Sequence, residues 1–131
     1  MSTTTSRIAL VTGAAGGLGQ AFAQRLAERG HALVLTDRGP CGELARRLHE
    51  AGTTLWDIPC DLSDTADVQR LAAEVLRRAG RVDVLVNNAA FMPMAPLAAL
   101  TPPLWRQIMA VNVDAPFLLA QAFADGMAER G

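Results

Sequence analysis

The chain contains no tyrosine, and all 12 of its basic residues are arginine, so it has no lysine either. A phenol and a side-chain amine are thus missing from whatever chemistry these residues perform. There are only two cysteines, Cys41 and Cys60, and neither stands at ligand spacing with the other or with His31 and His49. That argues against a disulfide scaffold and against a metal site, so no metal ligands are expected. No apolar run is long enough to cross a bilayer. Residues 1–7 are polar and rich in Thr and Ser, without the basic start and apolar stretch of a secretory signal. A net charge of −1 gives no reason to expect nucleic acid or an anionic membrane as partner. The compartment that these absences imply is the cytoplasm.

What is present is apolar and periodic. Half of the 131 residues are apolar and 19% are charged, which fits one packed domain of modest size rather than disorder. Aliphatic runs at residues 8–11, 32–36, 53–59 and 82–86 read as buried strands. Between them lie helical patterns: Phe22 and Leu26 running up to Gly30, Leu44 and Leu48 after Pro40, and a stripe of Val68, Leu71, Val75 and Leu76 ending at Gly80. Ser63 or Asp64 is placed to cap the third helix, and Thr101 before Pro102 and Pro103 to cap the fourth. Residues 104–127 read as largely helical, with a kink near Pro116. Strands without polar faces, alternating with helices, indicate a parallel sheet covered on both sides. The expected fold class is therefore α/β, a Rossmann-type doubly wound sheet with its first strand central. One domain is expected over residues 1–131, with residues 1–6 a disordered tail.

The chemistry concentrates at strand ends. Thr12-Gly13-Ala14-Ala15-Gly16-Gly17-Leu18-Gly19 follows a strand and opens a helix. Glycines there let main chain approach a pyrophosphate, whose charge faces the helix N-terminus, so Gly13, Ala15, Gly16, Gly17, Leu18 and Gly19 are candidate cofactor-binding residues. A Gly-rich turn by itself is equally a tight turn that binds nothing; the strand before it and the helix after it favour a nucleotide. Asp37 closes the second strand, 24 residues after Gly13. A carboxylate at that place can accept both hydroxyls of an adenosine ribose and repels a 2′-phosphate, which favours NAD over NADP. The neighbouring Arg38 pulls the other way.

These motifs resemble the short-chain dehydrogenase/reductase family. Gly13, Gly17 and Gly19 match its T-G-x-x-x-G-x-G signature. Gly13, Gly16 and Gly19 equally match the T-G-x-x-G-x-x-G of the extended, epimerase-like branch. Asn87-Asn88-Ala89-Ala90, similar to N-N-A-G, points to the shorter branch, with Ala90 a mild departure. The resemblance implies that Asn87 bonds neighbouring main chain, that Asn88 and Ala89 line the ribose region, and that Asp61 and Leu62 meet the adenine. Trp105-x6-Asn112-Val113 is similar to the helix carrying a supporting member of the catalytic set. There the main-chain carbonyl of Asn112 is expected to hold a water linked to a catalytic Lys.

The resemblance covers essentially the whole chain but only about the first half of a family member. The Ser and the Tyr-x-x-x-Lys that serve such enzymes as oxyanion support and general acid/base belong to the second half. The chain is therefore expected to be truncated after the fourth strand and the helices that follow, and inactive alone. Three readings remain open: the N-terminal part of an NAD-dependent oxidoreductase, a non-catalytic dinucleotide-binding or regulatory module, and one half of a two-chain enzyme. A small-molecule substrate is expected only once the C-terminal half is supplied. A fourth strand left as a long, flat, apolar edge, and a last helix without its packing partner, would invite a complementing chain or a homo-oligomer. Residues 91–100 (FMPMAPLAAL) suggest an apolar pocket wall and no particular substrate.

Overall fold

The structure is a computed structural model that describes residues 5–131. Four strands, β1 (Ile8–Thr12), β2 (Ala32–Thr36), β3 (Leu55–Asp57) and β4 (Val84–Val86), form one sheet. Its order is β3-β2-β1-β4 and every pairing is parallel, which puts β1 in the interior as expected. Helices α1 (Gly17–Glu28), α2 (Gly42–Glu50), α3 (Thr65–Ala79), α4 (Pro102–Met109) and α5 (Ala115–Arg130) complete the fold. Side chains alternate across each strand and supply two cores. On one face Ala9, Val11, Leu33 and Leu35 meet Ala23 of α1 and Leu44 and Leu48 of α2. On the other, Ile8, Leu10, Ala32 and Val34 meet Val68, Leu71 and Val75 of α3 and Leu119 and Phe123 of α5.

Several expectations need correcting. Strands β3 and β4 have three residues each, shorter than the apolar runs suggested. At β4 the reason is a side chain: the Ile8 N–H, which a longer ladder would use, donates instead to the Asp83 carboxylate at 2.8 Å. The free edge is accordingly short rather than long. In α1 Phe22 points outward, 42% exposed, while Gly19 and Ala23 form the buried face. That helix lies so close to the loop after β1 that only small residues fit beneath it. Leu76 also faces solvent, and Ala72 takes its place in the α3 stripe. The last helix does find a partner, since Leu119 and Phe123 are buried against α3 and the sheet. Of the expected disordered tail, residues 1–4 lie outside the described residues; Thr5 and Ser6 are exposed, irregular chain, and the Ser6 carbonyl accepts from Arg81.

The helix ends follow local chemistry. Asp64 caps α3 by accepting from the Ala66 N–H at 3.0 Å, and Gly80 closes it in the left-handed conformation. Thr101 caps α4, with Pro102 in its first turn. The expected kink is a π-helical turn, Ala110–Asp114, between α4 and α5, just ahead of Pro116. No described helix is long and apolar enough to cross a membrane.

Candidate functional site

All four strands point their C-terminal ends toward one rim of the sheet, and the loops there enclose a cleft of about 370 Å³. That size lies within the usual range for small-molecule sites. At its base is Thr12, almost completely buried. Its hydroxyl donates to the Val86 carbonyl and accepts the N–H groups of Asn88 and Ala89 at 3.1 and 3.0 Å. The Asn88 amide donates in turn to the carbonyls of Thr12 and Gly13, at 3.1 and 3.2 Å. Threonine and asparagine thus lock the end of β1 to the end of β4. The expectation that Asn87 would do this is wrong by one residue. Asn87 is exposed, because successive side chains leave the strand on opposite sides.

The Gly-rich segment is held from several directions. Gly13 has φ +64°, and a side chain there would press a carbon to 2.9 Å from Ala89 Cα. Gly19 is tighter still, since a Cβ would overlap the Gly13 carbonyl oxygen. Gly17 has open space around it. The Ala15 N–H donates to Asp37 Oδ2 at 3.0 Å, and the Arg38 N–H to Asp37 Oδ1 at 2.8 Å. The Gln20 amide donates to the Ala15 carbonyl. Gly16, the residue before α1, offers no side-chain cap, and the first turn of that helix carries no acid. The N-terminal amides of α1 therefore keep their partial positive charge for an anion. Leu18, 70% exposed, lies beside them.

Gly13, Gly16, Asp37, Asp61, Leu62, Asn88 and Ala89 line the cleft, as do Arg38 and Ser63. Ala15, Gly17, Leu18 and Gly19 shape the loop without lining it. Asp61 forms a turn in which its Oδ1 accepts from the Ser63 amide and hydroxyl at 2.9 and 2.6 Å. The Ser63 hydroxyl and amide, with a smaller contribution from Arg38, hold the Asp61 carboxyl below the usual carboxylate range. It is therefore ionised at neutral pH. Cys60 also lines the cleft, but burial pushes its thiol up to about 12, so it is not a nucleophile at neutral pH. Among the described residues no cluster of metal-binding side chains occurs.

Asn112 sits in the π turn and outside the cleft wall. Its side chain clamps Phe91: Oδ1 accepts the Phe91 N–H at 2.8 Å and Nδ2 donates to the Phe91 carbonyl at 2.9 Å. Phe91 lines the cleft, so Asn112 positions the loop after β4. Reasoning from sequence missed two residues of α4 and the π turn, Gln107 and Val111, which face the cleft one helical turn apart. The i, i+4 spacing was the available signal, and it needed the helix to be placed over the rim before it meant anything.

The short chain dehydrogenase model matches residues 7–131. The chain belongs to the short-chain dehydrogenase family. It is 36% identical to sorbitol dehydrogenase from Cereibacter sphaeroides over 126 residues, 95% of this chain and 48% of that protein. It is also 36% identical to D-threitol dehydrogenase from Mycolicibacterium smegmatis over 127 residues, 95% of this chain and 49% of that one. A metagenomic short-chain oxidoreductase crystallised with NADP superposes with a TM-score of 0.90 at 38% identity, covering 98% of this chain and 59% of that one. The chain thus spans about half the length of the curated relatives it matches.

Proposed function

We propose that this chain binds a nicotinamide adenine dinucleotide in the rim cleft, as the cofactor-binding part of an oxidoreductase acting on an alcohol or carbonyl. The observation that carries this is the uncapped, acid-free N-terminus of α1, approached by a glycine loop that tolerates no side chain at Gly13 or Gly19. Such an end suits a pyrophosphate. The amides of Gly17, Leu18 and Gly19 that open α1, with Gly13 and Gly16 beside them, hold that group while Ala15 braces the loop through Asp37; Asp37 takes the adenosine ribose, Asp61 and Leu62 the adenine, and Asn88 and Ala89 the inner ribose. When bound, the nicotinamide supplies or accepts the hydride.

The chain's own residues bind and orient, and they offer no proton partner. With neither Tyr nor Lys present, no phenol can exchange a proton with the substrate oxygen and no ammonium can lower its pKa. Asn112 has a supporting role, exerted through Phe91. These 131 residues alone are expected to bind dinucleotide without turnover. A companion segment carrying Ser and Tyr-x-x-x-Lys, in the same or a second chain, would restore the reaction.

At the 2′ position the carboxylate of Asp37, fixed by the Ala15 and Arg38 amides, disfavours a phosphate and supports NAD. The NADP or NADPH bound in several similar solved structures weighs the other way, as does the Arg38 side chain at the cleft. Isothermal titration of the purified chain with NAD and NADP in parallel tests both levels. Binding of either supports the site, and tighter binding of NADP would remove the NAD preference. No heat with either at millimolar concentration would end the dinucleotide reading.

A further inference from the structure

The polar side chains lining the cleft differ in what they can exchange. Asp37 and Asp61 only accept hydrogen bonds and Arg38 only donates, while Ser63 spends its hydroxyl proton on Asp61. Gln107 is different, because its amide carries a donor and an acceptor side by side, whereas the Asn88 amide spends its donor on the Thr12 and Gly13 carbonyls. It rises from α4 on the wall formed with Val111, one turn further along. Gln107 and Ser63 also border the shallow groove outside the cleft, so both belong to the rim that divides the two. The hydrogen bonds that brace the cleft engage Asp37, Asp61, Ser63 and Asn88, and among the described residues none engages the Gln107 amide.

We propose that Gln107 is a specificity-determining residue for the purine, pairing its amide with the N7 acceptor and the N6 amine of adenine while Asp61 accepts the second amine hydrogen. This rests on the dinucleotide reading above and deepens it. The side-by-side donor and acceptor of a glutamine amide complement that edge of adenine, and a carboxylate can meet only the amine. Hypoxanthine replaces the amine by a carbonyl oxygen. Its O6 and N7 then present two acceptors to Gln107, whose amide oxygen is left without a donor, while its N1–H still offers Asp61 a proton, so the discrimination falls on Gln107. The apolar Val111 side chain beneath supplies a surface for the ring and no discrimination of its own.

The test compares the affinities of NAD and nicotinamide hypoxanthine dinucleotide for the chain and for Gln107→Leu, by calorimetry. The wild-type chain is expected to prefer the adenine form. Gln107→Leu should lower that preference on the order of tenfold, with its circular dichroism spectrum and urea midpoint unchanged. Gln107→Met, closer in length, carries the same expectation and serves if the leucine variant does not fold. A chain that binds NAD but keeps the same adenine-to-hypoxanthine ratio in both Gln107 variants overturns the inference and leaves the dinucleotide reading standing. A wild-type chain that binds neither compound sinks that reading and this inference with it.

Discussion

Replacing Gly19 by Ala places a methyl group where the Gly13 carbonyl oxygen already lies, with Ala14 Cα only 2.8 Å away. Both obstacles are main chain and cannot rotate aside, so α1 must lift from the end of β1. Overpacking of this kind costs about 1–3 kcal/mol, and a backbone clash belongs in the upper part of that range. Exchanging Gly for Ala within a helix returns roughly 1 kcal/mol. The expected net loss is about 2 kcal/mol, on the order of 6 °C in melting temperature for a chain of this size. Gly17→Ala is the matched control two residues away. Nothing lies within 4 Å of its Cβ position, so only the propensity gain remains, roughly 0.5 kcal/mol of stabilisation at a helix terminus. Urea unfolding followed by circular dichroism, read as the shift in midpoint at constant slope, measures both. If Gly19→Ala were as stable as the parent chain, or Gly17→Ala lost more than Gly19→Ala, the steric account of this loop would be refuted. Dinucleotide titration adds a second axis: Gly17→Ala should fold well yet bind more weakly, because its methyl group stands at the mouth of the α1 N-terminus.

Three further outcomes follow from the hydrogen-bond network. Asn88→Ala leaves the carbonyls of Thr12 and Gly13 without their side-chain donor and should cost about 1–3 kcal/mol in urea unfolding; Asn87→Ala, at an exposed position, should cost less than about 0.5 kcal/mol, and equal losses would contradict the assignment. Burial pushes the Asp83 carboxyl up, but the Ile8 N–H, Arg81 and Arg130 outweigh it and hold it below its ordinary 3.8. The folded value is the lower one, so the stabilisation is fully present above that ordinary value and fades as the pH falls through the folded one. The gap in stability between the parent chain and Asp83→Asn should then narrow in acid, and a gap that is flat from pH 7 to pH 2.5 would show that the charge does not matter. Burial, reinforced by Asp57 and Asp37, pushes Cys41 up to about 12, and burial with Asp67 does the same for Cys60. Neither thiol should react with a disulfide reagent at pH 8 in the native chain, and both should react in denaturant; rapid native labelling of either would place it outside the core.

The order of elements, the parallel sheet and the glycine loop were legible in the sequence because each rests on local chemistry. Aliphatic runs alternate with helical stripes, Asp64 and Thr101 cap, Gly80 stops a helix, and the loop at residues 13–19 follows a strand directly. Absence was equally legible: no arrangement of these side chains provides a phenol or an ammonium group. Tertiary structure alone decided which neighbour of a pair does the work. Asn88 rather than Asn87 reaches β1, and Ala23 rather than Phe22 is the face that α1 turns to the sheet, because facing depends on how closely two backbones approach, a distance set by residues far apart in the chain. The same holds for strand length at β4, where the Asp83 carboxylate takes the Ile8 N–H from 75 residues away. Gln107 and Val111 became part of the site only when the sheet carried α4 over its rim. Periodicity determines which residues share a helix face, and only packing determines what that face looks upon.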